Sequence, residues 1–453
     1  MTSTQQQTKS TENVEQFDAI IIGAGVTGLY ALYRLRQLGF SARSFEEGSG
    51  VGGTWYWNRY PGCRFDSESY TYGYSFSEEL LQEWDWKEHY SAQPENERYL
   101  NYVADKFDLR RDIRLNSRVM SAVFDENENQ WEVAMEDGHR ARGQFLITSV
   151  GILSAGYVPD FDGKDTFRGT SCHTGRWPKE GVDLAGKRVG VIGTGASGVQ
   201  LITEIAKEVS HLTVFQRTAN FCAPLRNSLI DDKTQKEIKV AYPEIFRKCM
   251  ETAGSFVHEF DPRSAMSVSP EERLEKYETL WQESGFKKWL SNFYDVMLPG
   301  EANEDYAEFF RNKIRERVND PVVAEMLVPK GHMFGSKRLP CESGYYEVYN
   351  QDNVLLVDVK AAPIERITLN GIKTKTNEYD LDVIIFATGF DAVTGSLSRL
   401  HIEGEGGQTL NNKFSNGPRT FMGVQSAGFP NLFTINQASV GNFVRAAEPL
   451  VDW

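Results

Sequence analysis

The stretch Asp18-Ala-Ile-Ile-Ile-Gly-Ala-Gly-Val-Thr-Gly28 decides the fold of this chain. A short β-branched run leads into a Gly-x-Gly-x-x-Gly turn formed by Gly23, Gly25 and Gly28, and an apolar-periodic segment follows from Leu29 to Leu38. The first glycine permits a tight turn, the second lets a pyrophosphate approach the backbone, and the third lets the helix pack against its strand. The pattern therefore predicts a strand, a phosphate-binding turn and a helix.

A second stretch, Arg188-Val-Gly-Val-Ile-Gly-Thr-Gly-Ala-Ser-Gly198, repeats this design and is followed by an apolar helix pattern from Val199 to Ala206. Its predicted phosphate-contacting residues are Gly193, Gly195, Ser197 and Gly198. The N-terminus of each predicted helix offers unpaired N–H groups and a partial positive charge to phosphates. Two such units predict an α/β fold with two Rossmann-like dinucleotide-binding domains.

The residue that ends the next strand differs between the two units. In the first unit it is Glu46, whose carboxylate can accept hydrogen bonds from an adenosine ribose. In the second unit a neutral Gln216 stands there, and Arg217 and Thr218 follow. Arginine can bind a 2′-phosphate that a carboxylate would repel, which favours NADP at the second site. The alternative is that Arg217 only ends a strand at the surface.

The composition narrows the class of protein. The formal net charge of −14 argues against a nucleic-acid or anionic-membrane partner. We see no signal peptide, and the longest apolar runs have only strand length, so we expect a cytoplasmic location. The five cysteines are scattered and never form Cys-x-x-Cys, which predicts neither a disulfide redox pair nor a metal site; they are Cys63, Cys172, Cys222, Cys249 and Cys341.

Changes in pattern along the chain predict its domains. We expect a mobile tail at 1–17, a first dinucleotide-binding domain at 18–150 and 381–453, a second at 151–224 and 330–380, and a helical insertion at 225–329. The predicted strands of the first domain form a β-meander near Val119–Phe124, Trp131–Met135 and Phe145–Val150. Further strands are predicted at Val354–Val359, Glu365–Leu369 and Leu381–Ala387.

The predicted insertion contains two amphipathic helices. Ser269 has the position of an N-cap, and the buried stripe after it is predicted to be Leu274, Tyr277 and Trp281, ending at Gly285. The second helix has a stripe with i, i+4 spacing, made of Tyr306, Phe310, Ile314 and Val318. For each of these residues we expect a packing role.

Two dinucleotide sites on one chain imply electron transfer from a nicotinamide to a flavin. Disulfide reductases of this design need a redox cysteine pair, which the sequence lacks. An oxygen-using monooxygenase needs none, because the flavin itself carries the peroxide. The sequence therefore favours a monooxygenase over a disulfide reductase.

The linker before the second unit, Phe167-Arg-Gly-Thr-Ser-Cys-His-Thr-Gly-Arg-Trp-Pro178, closely resembles the F-x-G-x-x-x-H-x-x-x-W-P fingerprint of type I Baeyer–Villiger monooxygenases. Its five defining residues are Phe167, Gly169, His173, Trp177 and Pro178. The alternative role for His173 and Trp177 is packing in an interdomain linker, which is compatible with the resemblance.

The resemblance extends over nearly all of the chain after the tail. Gly52–Gly62, with Thr54 and Trp55, is similar to the family's flavin-contacting loop. The other matching positions are Asp66 as active-site acid and cofactor contact, Lys337 as cofactor-binding lysine, Arg338 as catalytic arginine, and Ala387-Thr-Gly-Phe-Asp391 as a late dinucleotide-domain motif.

The resemblance implies FAD, NADPH and dioxygen as reactants, and a C4a-peroxyflavin that converts a small-molecule ketone to an ester or lactone. Arg338 would stabilise the peroxide anion, and Asp66 would orient Arg338. Lys337 and Arg217 would hold the NADP 2′-phosphate. Two alternatives remain open: a related enzyme that oxidises sulfur or nitrogen, and an uncoupled NADPH oxidase or regulatory flavin binder. No obligate protein partner is indicated.

The sequence departs from the family pattern near its end. Members usually continue well past the position of Trp453 with a segment that helps to cover the active site. They also often have a Gly-Pro loop where this chain reads Asn436-Gln-Ala-Ser-Val-Gly441. We therefore expect either a longer natural chain or a differently built substrate cover.

Overall fold

The two strand–turn–helix units each lie within a sheet of their own. The computed structural model describes residues 14–435 and 441–453, so the predicted loop at 436–440 and residues 1–13 of the predicted tail lie outside the described residues. The strands of the described residues are β1 (Glu15–Ile22), β2 (Ala42–Phe45), β3 (Ile113–Arg114), β4 (Val119–Asp125), β5 (Gln130–Met135), β6 (Arg140–Thr148), β7 (Thr170–His173), β8 (Arg188–Ile192), β9 (His211–Gln216), β10 (Ala223–Pro224), β11 (Cys341–Glu342), β12 (Val354–Asp358), β13 (Ile364–Thr368), β14 (Gly371–Thr374), β15 (Glu378–Asp380), β16 (Val383–Phe386), β17 (His401–Glu403) and β18 (Leu432–Thr434).

Helices cover the sheets and fill the segment between them. The α-helices of the described residues are α1 (Val26–Gln37), α2 (Thr54–Trp57), α3 (Ser69–Tyr72), α4 (Glu78–Glu83), α5 (Gln93–Lys106), α6 (Ala196–Ile205), α7 (Asp232–Glu251), α8 (Pro270–Gln282), α9 (Lys287–Leu290), α10 (Glu301–Arg315), α11 (Pro321–Leu327), α12 (Gly395–Ser398), α13 (Leu410–Lys413) and α14 (Phe443–Asp452). No helix in these described ranges is long and apolar enough to cross a membrane.

The first sheet has the order β17-β4-β5-β6-β1-β2-β3, and β18 also pairs with β6. β1 is parallel to both β2 and β6, while β4, β5 and β6 form an antiparallel meander. The β-meander prediction is therefore confirmed. β6 pairs with β5 through its first half and with β18 through its last three residues, so the end of the chain returns to the first sheet.

The second sheet has the order β12-β9-β8-β16-β7, and all its strands are parallel. The α/β fold class with two Rossmann-like units is confirmed. The boundary predicted at residue 381 is wrong, because β16 pairs with β7 and β8 rather than with the first sheet. Its continuous apolar run, Val383-Ile-Ile-Phe386, is fully buried and fits the interior of either parallel sheet, so its sequence alone did not identify its partners.

The predicted tail also ends earlier than residue 17. Glu15, Gln16 and Phe17 belong to β1 and pair with Ala141–Gly143 of β6. Alternating burial at these positions reflects a strand with one face toward the core. Their polar sequence suggested a tail because the pairing partner lies more than 120 residues away.

The helical insertion forms as predicted, with one error. The Ser269 hydroxyl caps α8 by accepting the Glu272 N–H, and Tyr277 and Trp281 are buried. Leu274 is 53% exposed, so its predicted place in the buried stripe is wrong. All four residues of the second stripe are buried, with Tyr306 and Phe310 in an aromatic core that also contains Phe334.

The last helix, α14, ties three parts of the molecule together. Asn442 donates to Thr71 of α3, and the Glu448 carboxylate accepts from both the backbone and the hydroxyl of Ser75. Asp452 accepts from the Tyr30 hydroxyl of α1 at 2.7 Å. These contacts fix the loop after α3 against the first glycine unit.

Candidate functional site

The first glycine turn leaves no space for side chains at Gly23 and Gly28. Gly23 has φ +104°, and a Cβ placed on Gly28 would lie 1.9 Å from the Gly23 carbonyl oxygen. The hydroxyls of Thr148 and Ser149, at the end of β6 beside this turn, are buried and lack a partner among the described residues. Orphaned buried hydroxyls next to a helix N-terminus fit a polar ligand that would satisfy them, as FAD would.

Glu46 follows β2 and holds the turn together. Its Oε2 accepts the Ala24 N–H and its Oε1 accepts the Gly48 N–H, each at 2.8 Å. Burial raises the pKa of this carboxyl, and the two backbone donors oppose that effect. Each oxygen keeps a second lone pair with which it can accept a ribose hydroxyl.

The loop predicted to contact a flavin lies directly over the first turn. A Cβ on Gly25 would lie 3.3 Å from the Cα of Gly53, so the two backbones are in close approach. Thr54 is exposed at the start of α2. Trp55 is buried instead, with its indole N–H donating to the Tyr72 hydroxyl at 2.9 Å. A packing role thus accounts for Trp55, and its flavin contact stays a prediction.

The second glycine turn is more open than the first. A Cβ on Gly193 would lie 2.4 Å from the Ala387 carbonyl oxygen, and one on Gly198 would lie 2.3 Å from the Gly193 carbonyl oxygen. No atom of the described residues lies within 4 Å of a Cβ placed on Gly195. The open backbone at the start of α6 fits a pyrophosphate, and Ser197 lies in the first turn of α6.

The residues after β9 divide into a buried and an exposed group. Gln216 is buried, and its Nε2 donates to the Met326 carbonyl of α11 at 2.7 Å, so it ties the second sheet to the helical insertion. Arg217 and Thr218 are exposed. Within the described chain the Arg217 side chain has no hydrogen bond or ion pair, which leaves it available to a phosphate.

Asp66 and Arg338, predicted as active-site partners, form an ion pair. Arg338 Nη2 lies 3.0 Å from Asp66 Oδ2, and the Cys341 N–H also donates to that oxygen at 3.3 Å. Asp66 is 2% exposed, whereas the Arg338 side chain is 56% exposed. Burial raises the pKa of Asp66, although Arg338 acts in the opposite direction.

The rest of the Arg338 guanidinium faces no protein acceptor in the described ranges. It stacks over the Phe286 ring with its carbon 5.0 Å from the ring centre. Lys337 is exposed and makes no hydrogen bond in the same ranges. This segment therefore presents two adjacent cations, one oriented by a buried carboxylate and one free to bind a ligand.

A buried ion pair fixes the segment that follows Arg338. Glu342 has no exposed side-chain surface and accepts two hydrogen bonds from Arg317, at 2.8 and 3.1 Å. Glu342 Oε2 also accepts the N–H groups of Gly344 and Tyr345. The segment just after α10 thereby determines where β11 lies, and β11 begins three residues after Arg338.

His173 of the fingerprint joins β7 to the late motif after β16. Its Nδ1 accepts the Gly175 N–H and its Nε2 lies 3.0 Å from the Gly389 carbonyl oxygen, so the ring is neutral with its proton on Nε2. Phe390 packs edge-on against the ring, and burial lowers the pKa of His173. Asp391 is exposed, and its backbone N–H donates to Ala155.

The remaining fingerprint residues have packing environments of different kinds. A Cβ on Gly169 would lie 2.3 Å from the Asp382 carbonyl oxygen, and Phe167 packs against the core beside β16. Trp177 is 6% exposed, and the Pro178 carbonyl accepts the Gly181 N–H. Phe167, Gly169 and His173 thus pack at the β16 side of the second sheet.

Arg176, between His173 and Trp177, connects the fingerprint to the first glycine unit. Its guanidinium carbon lies 3.8 Å from the centre of the Trp57 ring, and its Nη2 donates to Glu47 at 3.0 Å. Because Glu47 is adjacent to Glu46 and Trp57 ends α2, the linker contacts both edges of the predicted FAD site.

A family model described as flavin-binding monooxygenase-like matches residues 18–225. A 2-oxo-Δ3-4,5,5-trimethylcyclopentenylacetyl-CoA monooxygenase of Pseudomonas putida is 49% identical over 424 residues, covering 92% of this chain and 78% of the relative. The chain belongs to the flavin-binding monooxygenase family.

Other members of the family have names that describe different oxidation reactions. An acetone monooxygenase (methyl acetate-forming) of Gordonia sp. (strain TY-5) is 45% identical, over 92% of this chain and 78% of that enzyme. A phenazine N-monooxygenase of Lysobacter antibioticus is 41% identical, over 96% of this chain and 81% of that enzyme.

Solved structures of the family share the fold of this chain. The structure of OTEMO in complex with FAD and NADP has a TM-score of 0.94 at 46% identity, covering 97% of this chain and 85% of that one. The closed structure of cyclohexanone monooxygenase has a TM-score of 0.95 at 42% identity, covering 97% of this chain and 83% of that one.

One residue of the site, Gln200, was not predicted from the sequence of this flavin monooxygenase. Gln200 lies in α6 and contacts Tyr60, Arg64 and Asp66 from the loop of the first unit. A visible sign was a single amide within the otherwise apolar run Val199–Ile202, because a polar residue in such a run usually has a specific partner.

The described residues form neither a metal-binding cluster nor a reactive cysteine site. No group of three or more potential metal-ligating side chains occurs there. All five cysteines are free thiols, and burial raises the pKa of Cys63 to about 12 and that of Cys249 to about 11. Such protonated thiols are poor nucleophiles.

Proposed function

We propose that this flavin monooxygenase uses NADPH and dioxygen to convert small ketones to esters or lactones, with FAD as its bound cofactor. The observation that carries the proposal is the pair formed by buried Asp66 and exposed Arg338. Asp66 ends the loop that covers the first glycine turn, and it contacts α6, which begins at the second turn. The pair therefore lies between the two dinucleotide sites.

The two cofactors would occupy the two glycine turns. The residues proposed for FAD are Gly23, Gly25, Gly28, Glu46, Thr54, Trp55, Asp66 and Asp391. Those proposed for NADP are Gly193, Gly195, Ser197, Gly198, Arg217, Thr218 and Lys337. Bound FAD, once reduced by NADPH, supplies the activation of dioxygen.

Arg338 provides the positive charge that ester formation requires. An oxygen nucleophile that attacks a ketone carbonyl creates an oxyanion, and a guanidinium offers fixed N–H donors to it. Nη2 donates to Asp66, while the remaining donors of the half-exposed guanidinium have no protein acceptor among the described residues. Because guanidinium stays charged at any working pH, Arg338 serves as an electrostatic stabiliser rather than as a proton donor.

Asp66 orients Arg338 and offsets its charge. A buried carboxylate is costly without donors, and this one has three, from Arg338, Cys341 and Gln200. The fingerprint linker and α14 hold the surrounding loops in place. We assign 15–150 and 388–453 to the FAD domain, 151–224 with 330–387 to the NADP domain, and 225–329 to the insertion.

The test is NADPH consumption by the purified yellow protein, with and without cyclic and aryl ketones, with products identified by mass. We expect substrate-stimulated turnover and a product equal to the ketone plus one oxygen. Arg338→Ala should abolish ester formation but keep FAD bound. The control is Arg168→Ala, which replaces an exposed arginine of the linker and should keep both ester formation and FAD. Ester formation at the wild-type rate by Arg338→Ala would refute the assignment.

Oxidation of nitrogen or sulfur is the second candidate, supported by the identity to the phenazine N-monooxygenase. A tertiary amine and a sulfide tested beside the ketones distinguish the two. N-oxide as the only oxygenated product would favour the second candidate, and hydrogen peroxide without any oxygenated product would favour an uncoupled oxidase.

We also propose that the enzyme works in the cytoplasm, without an obligate protein, nucleic-acid or membrane partner. Five free cysteines suit a reducing compartment, and a net charge of −14 disfavours polyanionic partners. Gel filtration together with activity of the purified chain tests whether a second protein is required.

A further inference from the structure

We propose that Gln200 is a positioning residue that couples the NADP-binding helix α6 to the Asp66–Arg338 pair. The proposal rests on the function proposed above, because it assigns Asp66 and Arg338 to the reacting site. It adds a residue that belongs to neither glycine turn nor to the fingerprint. In this arrangement, the placement of α6 sets the hydrogen bonding of Asp66 and, through it, the orientation of Arg338.

The oxygen and the nitrogen of the Gln200 amide both contact the loop formed by residues 58–66. The Oε1 accepts the Tyr60 hydroxyl at 2.9 Å and lies 3.5 Å from the Arg64 backbone nitrogen. The Nε2 donates to the Arg64 carbonyl at 3.0 Å and to Asp66 Oδ1 at 3.4 Å. The amide thus uses its acceptor and both donors on one loop, which leaves a single orientation for it.

Steric fit holds the same loop against the backbone of α6. A Cβ placed on Gly62 would lie 2.7 Å from the Gln200 carbonyl oxygen and 2.8 Å from Glu204 Cγ. Gly62 also has φ +82°, a conformation that other residues rarely adopt. A loop in such close contact cannot slide along the helix, so a shift of α6 would carry Asp66 with it.

The two oxygens of Asp66 have different partners. Oδ2 accepts from Arg338 and Cys341, whereas Oδ1 has Gln200 as its side-chain donor. Loss of the Gln200 donor would favour the neutral acid, since donors stabilise the carboxylate form. A protonated Asp66 would no longer offset or orient Arg338. We therefore expect the Asp66–Arg338 pair to fail at a higher pH without Gln200.

Other charged and titratable groups around Asp66 act on the same equilibrium. Tyr60, Cys63 and Arg64 lie in the loop before Asp66, and Cys222 directly precedes β10. Arg338 precedes β11, and Cys341 is the first residue of β11. The two arginines favour the carboxylate, and the buried thiols and phenol stay neutral. None of these groups donates to Oδ1, so none replaces Gln200.

The test compares Gln200→Met, which keeps the side-chain length but removes the amide, with Gln200→Glu. Glutamate keeps an acceptor for Tyr60, removes the donor to Asp66 and adds a like charge. Thr203→Val is the matched control, because Thr203 is also buried in α6 but, among the described residues, its hydroxyl bonds only the Val199 carbonyl of its own helix. FAD content and Tm are measured for every variant.

Two pH profiles are recorded, ester formation in air and flavin reduction by NADPH without oxygen. We expect the acid limb of both to move to higher pH by about one unit in Gln200→Met and further in Gln200→Glu. At neutral pH, kcat should fall about tenfold while the KM for NADPH changes less than about threefold. Thr203→Val should leave the profiles in place.

The proposal would be overturned if the Gln200 variants fold, bind FAD and keep the acid limb at the wild-type pH. It would also be overturned if the profiles of all the proteins were flat. A wild type that forms no ester from any ketone would refute the proposed function. In that case the anaerobic profile still decides about Gln200, because flavin reduction needs neither ketone nor dioxygen.

Discussion

Glu46 accepts the backbone N–H of Ala24 inside the first glycine turn, at 2.8 Å, across 22 residues of sequence. The other carboxylate oxygen accepts the N–H of Gly48. The acid that the sequence suggested as a ribose ligand therefore also maintains the shape of the phosphate-binding turn. A substitution at this position should affect both the turn and the cofactor.

Glu46→Gln should weaken FAD binding. The amide would place an NH2 group against one of two backbone donors, and an unsatisfied buried group costs about 1–3 kcal/mol. We expect the affinity for FAD to fall about tenfold or more, measured as the flavin-to-protein absorbance ratio after dialysis. Glu47→Gln is the control, because Glu47 is partly exposed and pairs with Arg176 outside the turn. Equal flavin content in both variants would contradict the prediction.

Arg217→Ala should reduce the preference for NADPH. Arg217 is exposed and unpaired within the described ranges, so its removal costs no packing, while a 2′-phosphate would lose a charge-assisted bond of about 1.5–3 kcal/mol. We expect the KM for NADPH to rise at least about tenfold and that for NADH to change little. Lys236→Ala, an exposed cation on α7, serves as the control. A parallel rise for both nucleotides would exclude recognition of the 2′-phosphate.

Arg317→Met should destabilise the protein through Glu342. Glu342 is fully buried, and the loss of its bidentate partner leaves an uncompensated charge, a change that typically costs about 3–5 kcal/mol. A large fall in Tm is therefore expected by differential scanning calorimetry. Arg315→Met, two residues earlier, breaks only surface pairs and should cost less than about 1 kcal/mol. Similar Tm values for the two variants would be inconsistent with a structural role for Glu342.

Lys288→Met should stabilise the protein below pH 8. Lys288 has no exposed side-chain surface, and burial lowers its pKa from 10.5 to about 8. Because the pKa of Lys288 is lower in the folded than in the unfolded protein, the unfolded state takes up a proton more readily. The folded wild-type protein therefore loses stability relative to the unfolded state as the pH falls from 10.5 through 8. The variant lacks this loss, which amounts to about 3 kcal/mol at most.

The measurement is the difference in unfolding free energy between Lys288→Met and wild type, from urea titrations at pH 7, 9 and 10.5. The difference should be largest at pH 7 and shrink as the pH rises. A difference that is constant with pH would mean that Lys288 remains charged without cost. Lys287→Met, the exposed neighbour, should show no such trend.

The sequence predicted local elements well because they depend on local patterns. Both glycine turns, the β-meander and the Ser269 cap are where their patterns place them. The errors concern long-range pairing and one solvent-facing position. The run Val383–Phe386 fits two different sheets equally, and Leu274 has helical spacing but faces solvent because the neighbouring helices pack elsewhere.

The candidate site was predicted in part, by a different route. The resemblance to the Baeyer–Villiger family pointed to Asp66 and Arg338, which the structure brings to 3.0 Å across 272 residues. The hydrogen-bond partners of Gln200 and the two backbone donors to Glu46 could not be predicted, since a hydrogen bond depends on distances that no spacing rule gives. Gln216 illustrates the same limit, because its neutral amide is explained by a bond to Met326.

The return of β18 to β6 has a consequence for synthesis of the chain. The first sheet begins with β1 at residue 15 but receives β17 and β18 only after residue 400. During translation the second sheet and the helical insertion emerge earlier than these strands, so the first sheet stays incomplete until residue 434 has left the ribosome. Until then the edge of β6 that β18 later occupies is exposed and open to wrong pairing.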